Sequence, residues 1–75
     1  MGIIQISDRV RVEDGWKREH FPDGPIDHGA PKVWYVYKWD TKKKRWMPED
    51  VHDRREAAIQ AAKKLNRRGL YGLFA

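Results

Sequence analysis

Lys42-Lys43-Lys44-Arg45 sets four cations in consecutive positions, and Lys63, Lys64, Arg67 and Arg68 set four more close together near the C-terminus. Residues of this type bind phosphate or carboxylate, lysine as a point charge and arginine as a planar two-donor fork. On duplex DNA each neutralised phosphate adds about −0.9 to the salt slope of binding. Just upstream of the tetrad, Tyr35, Tyr37 and Trp39 fall at alternate positions, with Lys38 between them. Rings at that spacing share one face of a strand. They either stack on bases, at roughly 1 to 3 kcal/mol each, or build a core.

Other chemistry has little to stand on. His20, His28 and His52 lie far apart, with no pair four residues apart on a helix, and Cys is absent, so neither a zinc site nor a disulfide is expected. Asp23, Asp27, Glu49 and Asp50 are carboxylates of the kind that assist phosphodiester cleavage, but they stand where turns and caps use them. Gly24 and Gly29 do not form a phosphate loop. The expectation is a protein with no catalytic residues, no metal and no cofactor, and not an enzyme.

The charge is divided unevenly. Residues 1–31 carry four Lys or Arg against six Asp or Glu, whereas residues 32–75 carry twelve against five, which puts all of the net +5 and more in the second half. A basic surface of this kind draws anionic partners at long range, nucleic acid among them; a solvated charged face serving solubility is the plainer use. At 75 residues the chain makes a single domain, 1–75, with a small core. Without disulfides, its four Trp, three Tyr and two Phe supply much of the burial. No apolar run approaches the ~20 residues of a membrane span, and the N-terminus is too quickly charged for a secretory signal. A cytoplasmic location with no membrane partner is the expectation.

These side chains need elements to hold them. Ile4, Ile6, Val10 and Val12 keep one parity, the mark of a half-buried strand, with a bend at Ser7-Asp8. Asp14-Gly15 reads as a turn and Trp16 to Phe21 as a returning strand. Residues 22–31, with three prolines and two glycines, form a loop, either a binding loop or a surface excursion. Val33 to Trp39 is a strand with aromatics on both faces, Asp40 to Lys44 a hairpin turn, and Arg45 to Met47 the return, stopped by Pro48. Asp53 and Glu56 have capping-box spacing, and a helix follows to about Arg67, with Gly69 as its C-terminal cap. Its inner stripe is Ala58, Ala61, Ala62 and Leu65, centred on Leu65. The tail Leu70 to Ala75 is apolar enough to dock on the domain or on a partner. The fold class is α+β: an antiparallel sheet of three or more strands with one C-terminal helix packed on it.

Tyr35-Val36-Tyr37-Lys38-Trp39, a turn, and then Trp46-Met47-Pro48-Glu49-Asp50 with a closing helix resemble the chromodomain pattern over residues 33–66. That resemblance implies a curled three-stranded sheet with the helix across one end. Of the three rings in that family's methyl-lysine cage, only Trp39 carries over by motif position. The order of elements is also similar, more loosely, to the sheet-plus-helix DNA-binding modules at the N-termini of phage integrases. Small phage-type inhibitors, anti-CRISPR proteins among them, share the size.

Three functional classes follow, the last a structural subunit or accessory protein. The first is a non-enzymatic nucleic-acid-binding module that uses Lys38, the Lys42–Arg45 tetrad, Lys63, Lys64, Arg67 and Arg68 on phosphates, with Tyr35, Tyr37 and Trp39 as aromatic contacts. The second is a protein-interaction module or inhibitor that sets the same cations against an acidic protein surface. Sequence alone leaves the oligomeric state open.

Overall fold

The computed structural model describes residues 2–21 and 24–74, with side chains described as far as Arg68. Strands β1 (Ile3–Gln5), β2 (Val10–Gly15), β5 (Val33–Asp40) and β6 (Arg45–His52) form one antiparallel sheet in the order β1-β2-β5-β6. Two short strands, β3 (Lys17–Arg18) and β4 (Ile26–Asp27), pair separately as a flap. Helix α1 (Arg55–Phe74) packs across β2, β5 and β6. The expected α+β class is therefore present, with four strands in the main sheet and the helix laid over a face.

Register and alternation sort the side chains. Ile4 opposes Val12, Val12 opposes Val36, and Val10 opposes Lys38, so the even positions of β1, β2 and β5 share the helix side. Val10, Val12, Val36, Ala58 and Ala62 make the closed core, with Ile4, Ile6, Trp34, Ala61 and Leu65 around it. Alanines let the helix axis come close to the sheet. The stripe predicted from helical phase is thus present, but its centre lies at Ala58 and Ala62, and Leu65 sits half-buried at the margin.

Several expected boundaries move. The bend at Ser7-Asp8 is a full reversal: the N–H groups of Ile6 and Ser7 both donate to the Val10 carbonyl, at 3.0 and 3.1 Å, and β2 returns along β1. Asp14-Gly15 is no turn, because both residues continue β2 opposite Trp34 and Val33. Gly15 has another reason to be glycine, since a Cβ there would stand 3.3 Å from the Tyr35 ring that lies against it. Of the expected Trp16–Phe21 strand only Lys17–Arg18 pairs, and its partner Ile26–Asp27 comes from the Pro/Gly-rich loop. Pro48 does not stop β6, which runs on to His52. An edge strand tolerates the missing N–H, and a bulge leaves Glu49 unpaired between Pro48 and Asp50.

The helix also differs at both ends. It starts at Arg55, with the Ala58 N–H donating to the Arg54 carbonyl, and no capping bond joins Asp53 to Glu56. It continues through Gly69 to Phe74 instead of stopping there. The side chains of the Leu70–Ala75 tail, expected to dock, lie outside the described residues.

Candidate nucleic-acid interface

The tetrad sits on a turn built by Asp40. Its carboxylate accepts the backbone N–H groups of Lys42 and Lys43 at 2.9 and 3.0 Å, and the Lys44 N–H donates to the Asp40 carbonyl at 2.7 Å. This is the local bonding for which aspartate is favoured at the start of turns. Those bonds, that of Lys43 foremost, hold the Asp40 carboxyl below the ordinary carboxylate value. Lys44 closes the turn in the left-handed region at φ 54°. Thr41 to Arg45 are all exposed, so the cations project into solvent.

The helix cations reach the same end of the sheet. The Ser7 hydroxyl bonds the Asn66 side chain at 2.6 Å, which fixes the helix at Asn66 against the β1–β2 turn. The next residues of that turn lie beside the β5–β6 hairpin, since the Trp39 N–H donates to the Arg9 carbonyl at 2.8 Å. At about 100° per residue, Lys64 and Arg68 fall roughly opposite Asn66 around the helix, on the flank toward the hairpin. Lys63 and Arg67 point away from the sheet, and all four are exposed. Lys38, also exposed, stands on the helix side just before the hairpin turn. The nine cations singled out from sequence therefore gather at one end of the molecule. Arg9, which the sequence reading left aside, joins them, and the acidic residues of this end are Asp8 and the turn-forming Asp40.

The three aromatic contacts occupy the sheet face away from the helix, and they differ in access. Tyr35 is buried: its hydroxyl donates to the Trp16 carbonyl at 2.6 Å, and Phe21 stacks on its ring at 6.0 Å between centroids. Tyr37 and Trp39 are half-buried. Trp39 meets Trp46 edge-on at 5.6 Å across the hairpin, and Arg11 lays its guanidinium 4.2 Å from the Trp46 ring centroid while pairing with Glu13 at 2.8 Å. Burial, followed by the Glu13 carboxylate, pushes the Tyr37 phenol up, so it is a neutral ring at physiological pH. A shallow groove of about 480 Å³ opens beside it, and the groove walls include Arg18 and Arg45.

Sequence reasoning passed over Arg11, Arg18 and Trp46 as site residues. The parity of Arg11, opposite to that of Val10 and Val12, placed it on the aromatic face and was a usable signal. Arg18 had none, because it reaches the groove only through the β3–β4 flap. The Pro/Gly-rich loop is tethered through Trp16, whose ring has Lys32 Nζ at 5.2 Å and the His28 ring edge-on at 5.2 Å. Among the described residues no three His, Cys, Asp or Glu side chains gather as a metal site, and no helix is long and apolar enough to cross a membrane. No protein-family model, curated protein or solved structure matches this chain.

Proposed function

We propose that the chain is a non-enzymatic nucleic-acid-binding module whose basic end grips the phosphate backbone. The observation that carries this reading is the convergence of the hairpin tetrad, Lys38 and the C-terminal helix cations at one end of the sheet, although they are distant in sequence. Several cations within one surface engage successive phosphates and release counterions together, which gives affinity and a steep salt dependence. An acidic protein surface would answer the same charges. Nucleic acid is favoured because Arg45, the last residue of the tetrad, also borders the groove that holds Tyr37 and Trp46, so charge and flat rings adjoin as a polynucleotide requires.

Replacing Lys42, Lys43, Lys44 and Arg45 together by Gln tests the reading. The expected result is weaker binding, with a duplex salt slope flattened by about 3 to 4 units, while the melting temperature barely moves because these side chains touch no core. Titrations of parent and variant at several salt concentrations decide it. A parent that binds no nucleic acid at about 50 mM salt, where such contacts are strong, refutes the reading and turns attention to an acidic protein partner.

A further inference from the structure

The groove on the helix-free face is chemically selective. Its walls are Arg18 from the flap, Tyr37 from β5, and Arg45, Trp46, Met47 and Pro48 from β6, and Tyr35 closes one side. Among the described residues no carboxylate lines it. The acidic group that Tyr37 senses, Glu13, is already engaged by Arg11 at 2.8 Å. At about 480 Å³ the groove falls in the size range of small-ligand sites. Two cations flanking neutral aromatic surface match a ligand with a flat uncharged body and negative charge on either side of it.

We propose that this groove receives one unpaired base of a single-stranded nucleic acid, laid against Tyr37 and Trp46, with Arg18 holding the phosphate on one side and Arg45 that on the other. From Arg45 the strand continues over Lys44 to the hairpin tip, so the inference rests on the nucleic-acid reading and specifies its substrate as single-stranded. A duplex presents its phosphates to the basic end equally well, but its bases are paired and cannot enter. A neighbouring groove of about 410 Å³ shares Arg18 and Tyr35 but is bordered by Glu19 and Asp53. There the two carboxylates offset Lys17 and Arg18, so no surplus cation remains to hold a second phosphate and the recognised unit is one base.

The experiment is fluorescence anisotropy with a labelled short oligothymidylate, competed by a duplex, a free nucleoside monophosphate and polyglutamate. The parent chain is compared with Tyr37→Leu and Arg18→Gln, each checked for folding by circular dichroism. The single strand should compete at least about 5-fold better than the duplex, the lower end of what one stacked base supplies. Tyr37→Leu should remove that preference, leaving duplex binding and the salt slope as they were. Arg18→Gln should lower single-strand affinity and flatten its slope by about 0.7, one phosphate's worth. Equal affinity for single strand and duplex, or a Tyr37→Leu chain that keeps its preference, overturns the groove assignment while the basic-end reading stands. Competition by the mononucleotide or by polyglutamate as strong as by the oligonucleotide also overturns it. Failure to bind either nucleic acid overturns both readings. Should Tyr37→Leu lose its fold, Arg18→Gln decides alone, because Arg18 is exposed and, among the described residues, its guanidinium donates to the Gly24 carbonyl of its own flap.

Discussion

The centre of the helix side of the sheet is packed from side chains no larger than valine: Val12, Ala58 and Ala62 at 0% exposure and Val36 at 1%. The opposite side carries Tyr37, Trp39 and Trp46, large rings left half in solvent, and Arg11 stacked among them. A helix comes close to a sheet only over small residues, so the centre of the closed side has no room for rings and Trp34 packs at its rim. The open side is covered at Tyr35 by Phe21 and the β3–β4 flap, while Tyr37, Trp39 and Trp46 stay half-exposed. Rings and an arginine stabilise that side through stacking and cross-strand contact instead, and they remain within reach of a ligand. Under the proposed function, stability and recognition fall on opposite sides of the same strands, at consecutive residues such as Val36 and Tyr37.

Breaking this division should show first in stability. Val36→Ala removes methyl groups from the closed side, where nothing can move in to replace them, and is expected to cost about 2 to 3 kcal/mol. Tyr37→Leu, one residue on, should cost about 1 kcal/mol or less, as is usual for a half-exposed strand position. Urea melts of the two variants measure the contrast, and equal losses would show that the open side is a second core. A smaller effect is expected at the margin of the helix stripe. Leu65→Ala should lose about 1 to 2 kcal/mol, in keeping with half-burial, and Lys64→Ala less than about 0.5 kcal/mol. A Leu65→Ala loss as large as that of Val36→Ala would move the centre of packing back toward the end of the helix.

The smallest effect is a pH dependence confined to the hairpin tip. The Asp40 carboxyl titrates below the ordinary 3.8 because the Lys43 and Lys42 N–H groups favour its charged form. A depressed folded-state value means that the turn is held fully above the ordinary carboxylate value, and that this hold is lost as pH falls through the folded one. The Lys42 and Lys43 amide resonances should therefore shift only in acid, with a midpoint below 3.8, while the resonances of Val12 and Val36 stay fixed. A midpoint at or above 3.8 would mean that the carboxylate does not organise the tetrad.

The β5–β6 hairpin and the helix were legible from the sequence because their signals are local: alternating rings, an aspartate-led turn, an alanine-rich run of period 3.6. The β1–β2 reversal was not. Ile4 and Val12 both occupy even positions, so they share a face whether the chain runs straight or folds back through a tight turn, and parity cannot distinguish the two. Asp14-Gly15 has the composition of a turn, yet the glycine answers to the Tyr35 ring, a contact formed across strands. Pro48 could be placed inside a strand only once β6 was known to lie at the edge. The tetrad and helix cations were identifiable by residue type, but their gathering at one end depends on the Ser7–Asn66 tie, fifty-nine residues apart in sequence. The groove depends on the flap, which no periodicity announces.

The interruption of β6 by Pro48 and the unpaired Glu49 bears on how the chain behaves in a crowd of its own copies. A regular eight-residue strand on the rim of a sheet exposes a row of unmatched backbone donors and acceptors, an invitation to edge-to-edge association and fibre growth. Here the row is broken midway, first by a residue with no N–H to lend and then by a bulge that turns the strand out of line. Exposed carboxylates at Glu49 and Asp50 follow directly. The other rim, β1, has only three residues with which to recruit a neighbour. A small protein with one uncovered aromatic face and a growing edge beside it would polymerise easily; the kink in β6 lets the face stay open without that hazard.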